Sequence, residues 1–422
     1  MSISIYPPYG SSTSNPNNVQ FGGTQVDAFG RLRVGTPFTL FDAQSRFAAD
    51  SGYSYYTATG GTTSFNTNKS SVNLNVTTSS GSTASAQTFN VFPYQPGKSL
   101  LTLQTFTMAA AQTNLVQRVG YFNVNNGVYL EQGPNGVTFV VRTYTSGSVD
   151  NSRFVSQASW NGDKLDGTGP SGVTLDLTKT QILWFDFEWL GVGNVRCGFI
   201  VNGQYIVCHT FQNSNFQTAV YMQTAILPLR YEISTTAATS SAATLQMICA
   251  SVISEGGYEQ TSQIYNARNA STVTITTSFI PIVSIAINIA GGYDGAVVIP
   301  SSINFVPIAA STYEIILVKN ATLTGATYAT SMSGSQVLVD TAATAMTAPS
   351  ADSIIQVTYA TASNQSQSSV VAPTGYNFAL ALGTSNATTL AGAVSDTFTL
   401  AARVTTGTGS GLGTISFYNL TT

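Results

Sequence analysis

The feature that most restricts the fold of this chain is the run Gln181–Leu190, in which large apolar side chains recur at every second position. On an extended strand Leu183, Phe185, Phe187 and Trp189 point to one side, and Ile182, Trp184, Asp186 and Glu188 to the other. A strand with one wholly apolar side needs a second sheet to cover it, and two sheets packed face to face make a sandwich. Shorter runs of the same kind recur around Asn126-Gly127, Asn135-Gly136, Asn161-Gly162 and Asn202-Gly203. The Asn-Gly pair marks the tight turn of a hairpin, because both residues tolerate a positive φ. Tyr121–Val141 accordingly reads as a three-strand meander.

Composition agrees with this pattern. Charged residues make up 8% of the 422 positions, against roughly 25% in an ordinary soluble domain. Apolar residues reach 43%, enough to build a packed core, which a disordered chain cannot do. Polarity is carried by Ser, Thr, Asn and Gln, the helix formers Lys, Glu and Arg are scarce, and no long segment keeps a period of 3.6. The expected class is all-β.

Four regions follow. Residues 1–45 read as an extended N-terminal arm, rich in Pro, Asn, Ser and Gly as far as Phe21, then an anchoring segment with Arg–Asp pairing. Residues 46–258 read as one sandwich, 259–271 as a polar linker, and 272–422 as a second, C-terminal β-sandwich of about eight strands. The most apolar stretch, Phe279–Ala290, carries Pro281, Ser284 and Asn288 and is shorter than the about 20 residues a membrane helix needs. It is expected to be a buried strand pair, with no membrane insertion. Net charge is −3 and no run of Lys or Arg occurs, so direct nucleic-acid binding is not expected. The first ten residues lack the basic and apolar regions of a signal peptide.

Little in the sequence asks for an active site. Asp186 and Glu188 share one side of a strand beside Trp184, and retaining glycosidases use two carboxyl groups about 5–5.5 Å apart. Jelly-roll glycosidases that carry theirs on one strand show Glu-x-Asp-x-x-Glu. Here Trp184 stands two before Asp186, and none of the three residues after Glu188 is acidic. No catalytic residue is assigned, and the chain reads as a non-enzyme, with a glycosidase as the remote alternative. Trp184, Asp186 and Glu188 stand as candidate glycan contacts, with Trp160 and Tyr221 as further aromatics for stacking on sugar rings. His209, the only histidine, alternates with Val207 and Phe211 and is expected to be a packed strand residue. The loop Asn161–Gly172 resembles a calcium loop but lacks alternate acidic positions and a closing glutamate. No metal or cofactor is expected. Cys197, Cys208 and Cys249 are an odd set without close spacing. Counting outward from Asn202-Gly203 puts Cys197 directly opposite Cys208, as two adjacent free thiols.

The block Val26-Asp27-Ala28-Phe29-Gly30-Arg31-Leu32-Arg33-Val34, with Pro37 and Thr39-Leu40-Phe41-Asp42, closely resembles the N-terminal signature of a family of virion structural proteins from marine phages, cyanophages among them. Ser171–Asp176, Trp189–Gly193, Val201–Gly203 and His209 look like the concanavalin-like jelly roll that follows it in that family. Pro228, Tyr231–Ile233, Glu255–Glu259, Tyr313–Ile315 and Thr322–Ala326 are similar as well. The resemblance implies a virion protein assembled in the host cytoplasm, without catalytic residues. The expectation is a homotrimeric capsid-decoration, fibre or tail-associated subunit, whose flat, weakly charged sheets suit self-assembly. Asp27, Phe29, Arg31, Arg33, Phe41 and Asp42 would dock it on other virion proteins. A tail-fibre protein adhering to a host surface glycan is the alternative.

Overall fold

The computed structural model describes residues 36–259, 262–293, 295–332, 334–361, 368–371, 380–384 and 394–420. Asp27, Phe29, Arg31 and Arg33 lie outside the described residues, as does most of the expected arm. The described chain is nearly all strand. The first unit contains β1 (Phe38–Gln44), β2 (Tyr53–Ala58), β3 (Thr62–Asn66), β4 (Ser71–Val76), β5 (Thr83–Thr88), β6 (Leu100–Thr107), β7 (Leu115–Phe122) and β8 (Gly127–Gly133). It continues with β9 (Gly136–Thr143), β10 (Asp150–Ser156), β11 (Gln181–Phe187), β12 (Val195–Val201), β13 (Gln204–Phe211), β14 (Leu229–Thr235) and β15 (Ala243–Ser254).

Sheet I runs β13-β12-β11-β6-β15-β4-β3, and sheet II runs β10-β9-β8-β7-β14-β5-β2. The chain crosses from one sheet to the other at β1–β2, β2–β3, β4–β5, β5–β6, β6–β7, β10–β11, β13–β14 and β14–β15, the winding of a jelly roll. β15 is long enough to pair with β4 along its first half and with β1 along its second. The end of the signature block is thus a strand of sheet I. Between the sheets lie Tyr121, Phe139, Phe185, Phe187, Phe199 and Tyr231, each at 1% exposure or less. Tyr121 sits against Phe187 with ring centroids 5.3 Å apart, and Phe139 meets Phe185 edge-on at 6.0 Å. This is the apolar side of Gln181–Leu190 that the alternation predicts.

The second unit contains β16 (Ile264–Arg268), β17 (Val273–Ile275), β18 (Ile280–Ile287), β19 (Val298–Pro307), β20 (Thr312–Lys319), β21 (Leu323–Thr324) and β22 (Thr330–Ser331). β23 (Val337–Asp340), β24 (Ala345–Met346), β25 (Ile354–Thr361), β26 (Ser368–Val371), β27 (Thr397–Val404) and β28 (Gly409–Asn419) complete it. Its sheets are β16-β28-β19-β26, with β17 also on β28, β22-β23-β18-β27-β20-β25, and the two-stranded β21-β24. Two expectations change here. Phe279–Ala290 holds one strand, β18, not a pair. It is central in its sheet, and Ser284 meets the Thr399 hydroxyl at 2.9 Å, which lets a polar group sit in a buried strand. The expected linker 259–271 contains β16, whose partner β28 lies about 150 residues further on, beyond the reach of local pattern. The units touch where the Thr384 N–H donates to the Phe89 carbonyl and Leu420 packs on the first core.

Candidate functional site

The outer side of β11 carries the residues singled out in the sequence. Register aligns three rows across sheet I: Leu101-Asp186-Arg196-Thr210, Leu103-Trp184-Gly198-Val207 and Thr105-Ile182-Ile200-Tyr205. Paired residues share a face, so this outer face is largely apolar where a half-solvated sheet is normally polar. Trp184 lies across β12 at Gly198, where a Cβ would come within 2.8 Å of the indole. Tyr205 closes over it edge-on at 5.6 Å.

That packing corrects the stacking expectation. Trp184 is 3% exposed, Trp160 2% and Tyr221 3%, so none offers a free ring face to a sugar. Trp160 is stacked on Phe139 at 4.6 Å inside the sandwich. The exposed aromatic of this face is Tyr205, at 54%.

Asp186 and Glu188 do come together. Both line a cleft of about 430 Å³ at the end of β11, with Ser99, Leu190, Gly193, Asn194, Arg196 and Thr210. Asp186 is buried and accepts from the Ser99 hydroxyl and the Arg196 guanidinium. Glu188 is exposed. Glu255, which follows β15, stands close by, and its carboxyl is pushed up by burial and by the Asp186 charge, against a smaller downward pull from Arg196. Among the described residues no ion pair engages Glu188 or Glu255. Sequence reading missed Ser99, Arg196 and Glu255; Arg196 becomes visible only once β11 and β12 are placed in register.

The hairpin β12–β13 turns at Asn202 (φ 51°) and Gly203 (φ 74°), as Asn-Gly predicts. The count outward from it fails at one place. Beyond Gly198–Val207 the register shifts, and Cys197 faces His209 instead of Cys208. The Asn161–Asp163 backbone is stitched to this bulge: Gly162 and Asp163 N–H donate to the Cys208 and Val207 carbonyls. Asn161-Gly162 is therefore a loop docked on an edge, not a hairpin turn. Cys197 and Cys208 are both free and buried, and burial pushes the Cys208 thiol up to about 12. Cys197 is also raised, first by burial and then by Cys208.

His209 is 8% exposed and accepts from the Asn161 N–H at 3.3 Å through Nδ1. Burial, then Arg153, pull its pKa down to about 4. In the Asn161–Gly172 loop the Asp163 carboxylate accepts from Leu165 and Ser171 N–H at 2.9 and 2.7 Å. Gly169 is required there, since a Cβ would fall 2.1 Å from that carboxylate. These are the contacts of a packed strand histidine and of a turn closed by its own aspartate.

Of the docking residues within the described chain, Phe41 packs half-buried against Phe92 and Tyr53, at 5.2 and 5.9 Å, and Asp42 is exposed. Both border a second cleft, about 340 Å³, with Asp50, Phe89, Asn90 and Lys319 where the two units meet. The outer face of sheet II carries a different construction. Arg118 binds Glu131 at 2.8 Å and Glu232 at 2.6 Å, and Arg230 binds Glu232 at 2.7 Å and Gln87 at 2.8 Å. Arg142 lies over Tyr129 and Phe122 at 5.0 and 5.5 Å. Burial alone would raise the Glu232 carboxyl, but Arg230, Arg118 and Arg142 outweigh it and hold it at about 2.

No sequence family and no curated protein matches the chain. Among solved structures it is similar to a Bacillus licheniformis β-glucanase at 11% identity, over 52% of this chain and 99% of the other, with a TM-score of 0.31. Peanut lectin in complex with a nine-residue peptide is similar at 13% identity over 52% and 98%, TM-score 0.30. A GH16 protein from Bacteroides ovatus in complex with a glucan product is similar at 10% identity over 50% and 99%, TM-score 0.34. At these values the likenesses are reported without further use; the fold class rests on the sheets themselves.

Proposed function

We propose that this protein is a non-enzymatic structural subunit on the surface of a tailed-phage particle, attached through its N-terminal segment and displaying two sandwiches outward. The observation that carries the reading is β1: the signature residues Thr39–Asp42 are built into sheet I, so any force on the preceding segment is delivered to the core of the first sandwich. Low charge and broad, weakly charged sheet surfaces suit assembly by shape. A homotrimer is part of the proposal, and sedimentation of the purified protein tests it. The attachment test is deletion of residues 1–35, which leaves β1 intact. The expected product keeps its β circular dichroism and no longer joins particles in an assembly extract. A folded deletion that joins particles as well as the full chain overturns the reading.

Glycan adhesion is the second reading, favoured by the polar cleft of Asp186, Glu188, Asn194, Arg196 and Thr210. A glycan array without hits removes it. The glycosidase alternative is weakened by the engagement of Asp186 with Ser99 and Arg196.

A further inference from the structure

The outer face of sheet I needs a cover. Ile182 is 36% exposed, Val207 37% and Tyr205 54%, on a face that also carries Leu103 and Ile200. At one end of this face, three carboxylates (Asp186, Glu188 and Glu255) stand against one guanidinium, Arg196. The adjacent Lys98 is taken by Glu259 at 3.5 Å.

We propose that the chain's own residues 26–34 cover this face, with Arg31 and Arg33 placed at Glu188 and Glu255. Three observations carry it. The described chain begins at the right end: Phe38 pairs with Ser254 and packs 6.0 Å from Tyr258, so the chain enters β1 beside Glu255. The reach is sufficient. Phe38, Ser254, Leu100 and Phe187 lie in one cross-strand row, three strand spacings or about 14 Å. Arg33 stands five residues before Phe38 and can extend about 17 Å from it, with its side chain beyond. The charges are complementary, and the pattern fits: in an extended chain Phe29, Arg31 and Arg33 fall on one side, matching an apolar face that ends in carboxylates.

The proposal goes beyond the attachment reading and competes with glycan adhesion for the same cleft. It is tested on the isolated full-length protein, free of particles and sugars, carrying Arg31→Lys and Arg33→Lys. A zero-length carbodiimide links amines to carboxylates in contact, and mass spectrometry maps the links. Lys98–Glu259 is the built-in control for folding and reagent. The expected result is intrachain links from the introduced lysines to Glu188 or Glu255, lost in Glu188→Gln/Glu255→Gln. The Lys98–Glu259 link without those links overturns the proposal. Links found only between light and heavy chains of an isotope-mixed sample also overturn it, in favour of a second copy as occupant.

Discussion

The two sandwiches solve the same problem with different chemistry. The first packs aromatic rings between its sheets and carries buried charge on the outer face of sheet II. Arg230 is 2% exposed and Glu232 14%. The second is filled mainly by Ile, Val, Leu and Ala, as in Ile282, Ile285, Val298, Ile315, Leu400 and Ile415. Its outer ion pair, Glu314–Arg403, leaves the arginine side chain 45% exposed. Charge is scarce in this chain, so the concentration of desolvated ion pairs in the first unit fixes geometry there at some cost in desolvation. The second unit depends mainly on apolar packing and is the plainer scaffold, although the carboxylate of its Lys319–Asp396 pair, at 2.8 Å, is 6% exposed.

The sharpest way to break this contrast is Glu232→Ala. The change leaves Arg230 buried without that carboxylate and removes one of the two carboxylates of Arg118. Breaking a buried pair from one side costs about 3–5 kcal/mol. Urea unfolding followed by hydrogen exchange should show the loss in peptides from β7 and β14 and not in β18 or β27. Equal loss in both units would mean that they unfold as one body.

Acid should separate the units next. Glu232 is held at about 2 when folded, below its ordinary value of 4.5. Its contribution is therefore complete above about pH 4.5 and is lost as pH falls toward 2, about 3 kcal/mol in all. His209 adds a limb at higher pH. Its folded pKa of about 4 lies below its ordinary 6.5, so the unfolded state takes up the proton first. Stability is complete above about pH 6.5 and falls between there and 4, by about 2 kcal/mol once screening at the exposed ring edge is allowed for. His209→Gln should flatten that limb while leaving the lower one. A curve unchanged by the substitution would show that the histidine is not held neutral by burial.

How much of this was legible in the sequence follows the range of the interactions. The core side of β11, the β12–β13 turn and most second-unit strands could be read, because alternation and Asn-Gly turns are local. Trp184 was misread as exposed because its cover, Tyr205, and its seat, Gly198, are brought to it only by pairing with β12 and β13. The Cys197–Cys208 register failed for a similar reason: the bulge is set by a loop some 40 residues upstream, which no count along the hairpin contains. Glu255 and Ser99 joined the candidate site through β15 and β6, whose neighbours in the sheet are far away in sequence. The turn residue Gly203 could be assigned a role in advance, whereas Gly198 could not, because its need comes from the Trp184 ring across the sheet.

The smallest effect is also the most direct control on the comparison. Arg403 donates to one oxygen of Glu314 through Nε at 2.7 Å and Nη2 at 2.6 Å, and its guanidinium lies 4.6 Å from the centre of the Phe279 ring. In Glu314→Ala the arginine keeps that ring and gains water, so the loss should stay below about 1 kcal/mol. Raising the ionic strength should shrink it further, because an exposed pair is screened, and should leave the Glu232→Ala loss nearly unchanged. If Glu314→Ala costs as much as Glu232→Ala at every salt concentration, the two surfaces are energetically alike. The division between a first unit fixed by buried charge and a second held by apolar packing would then have to be given up.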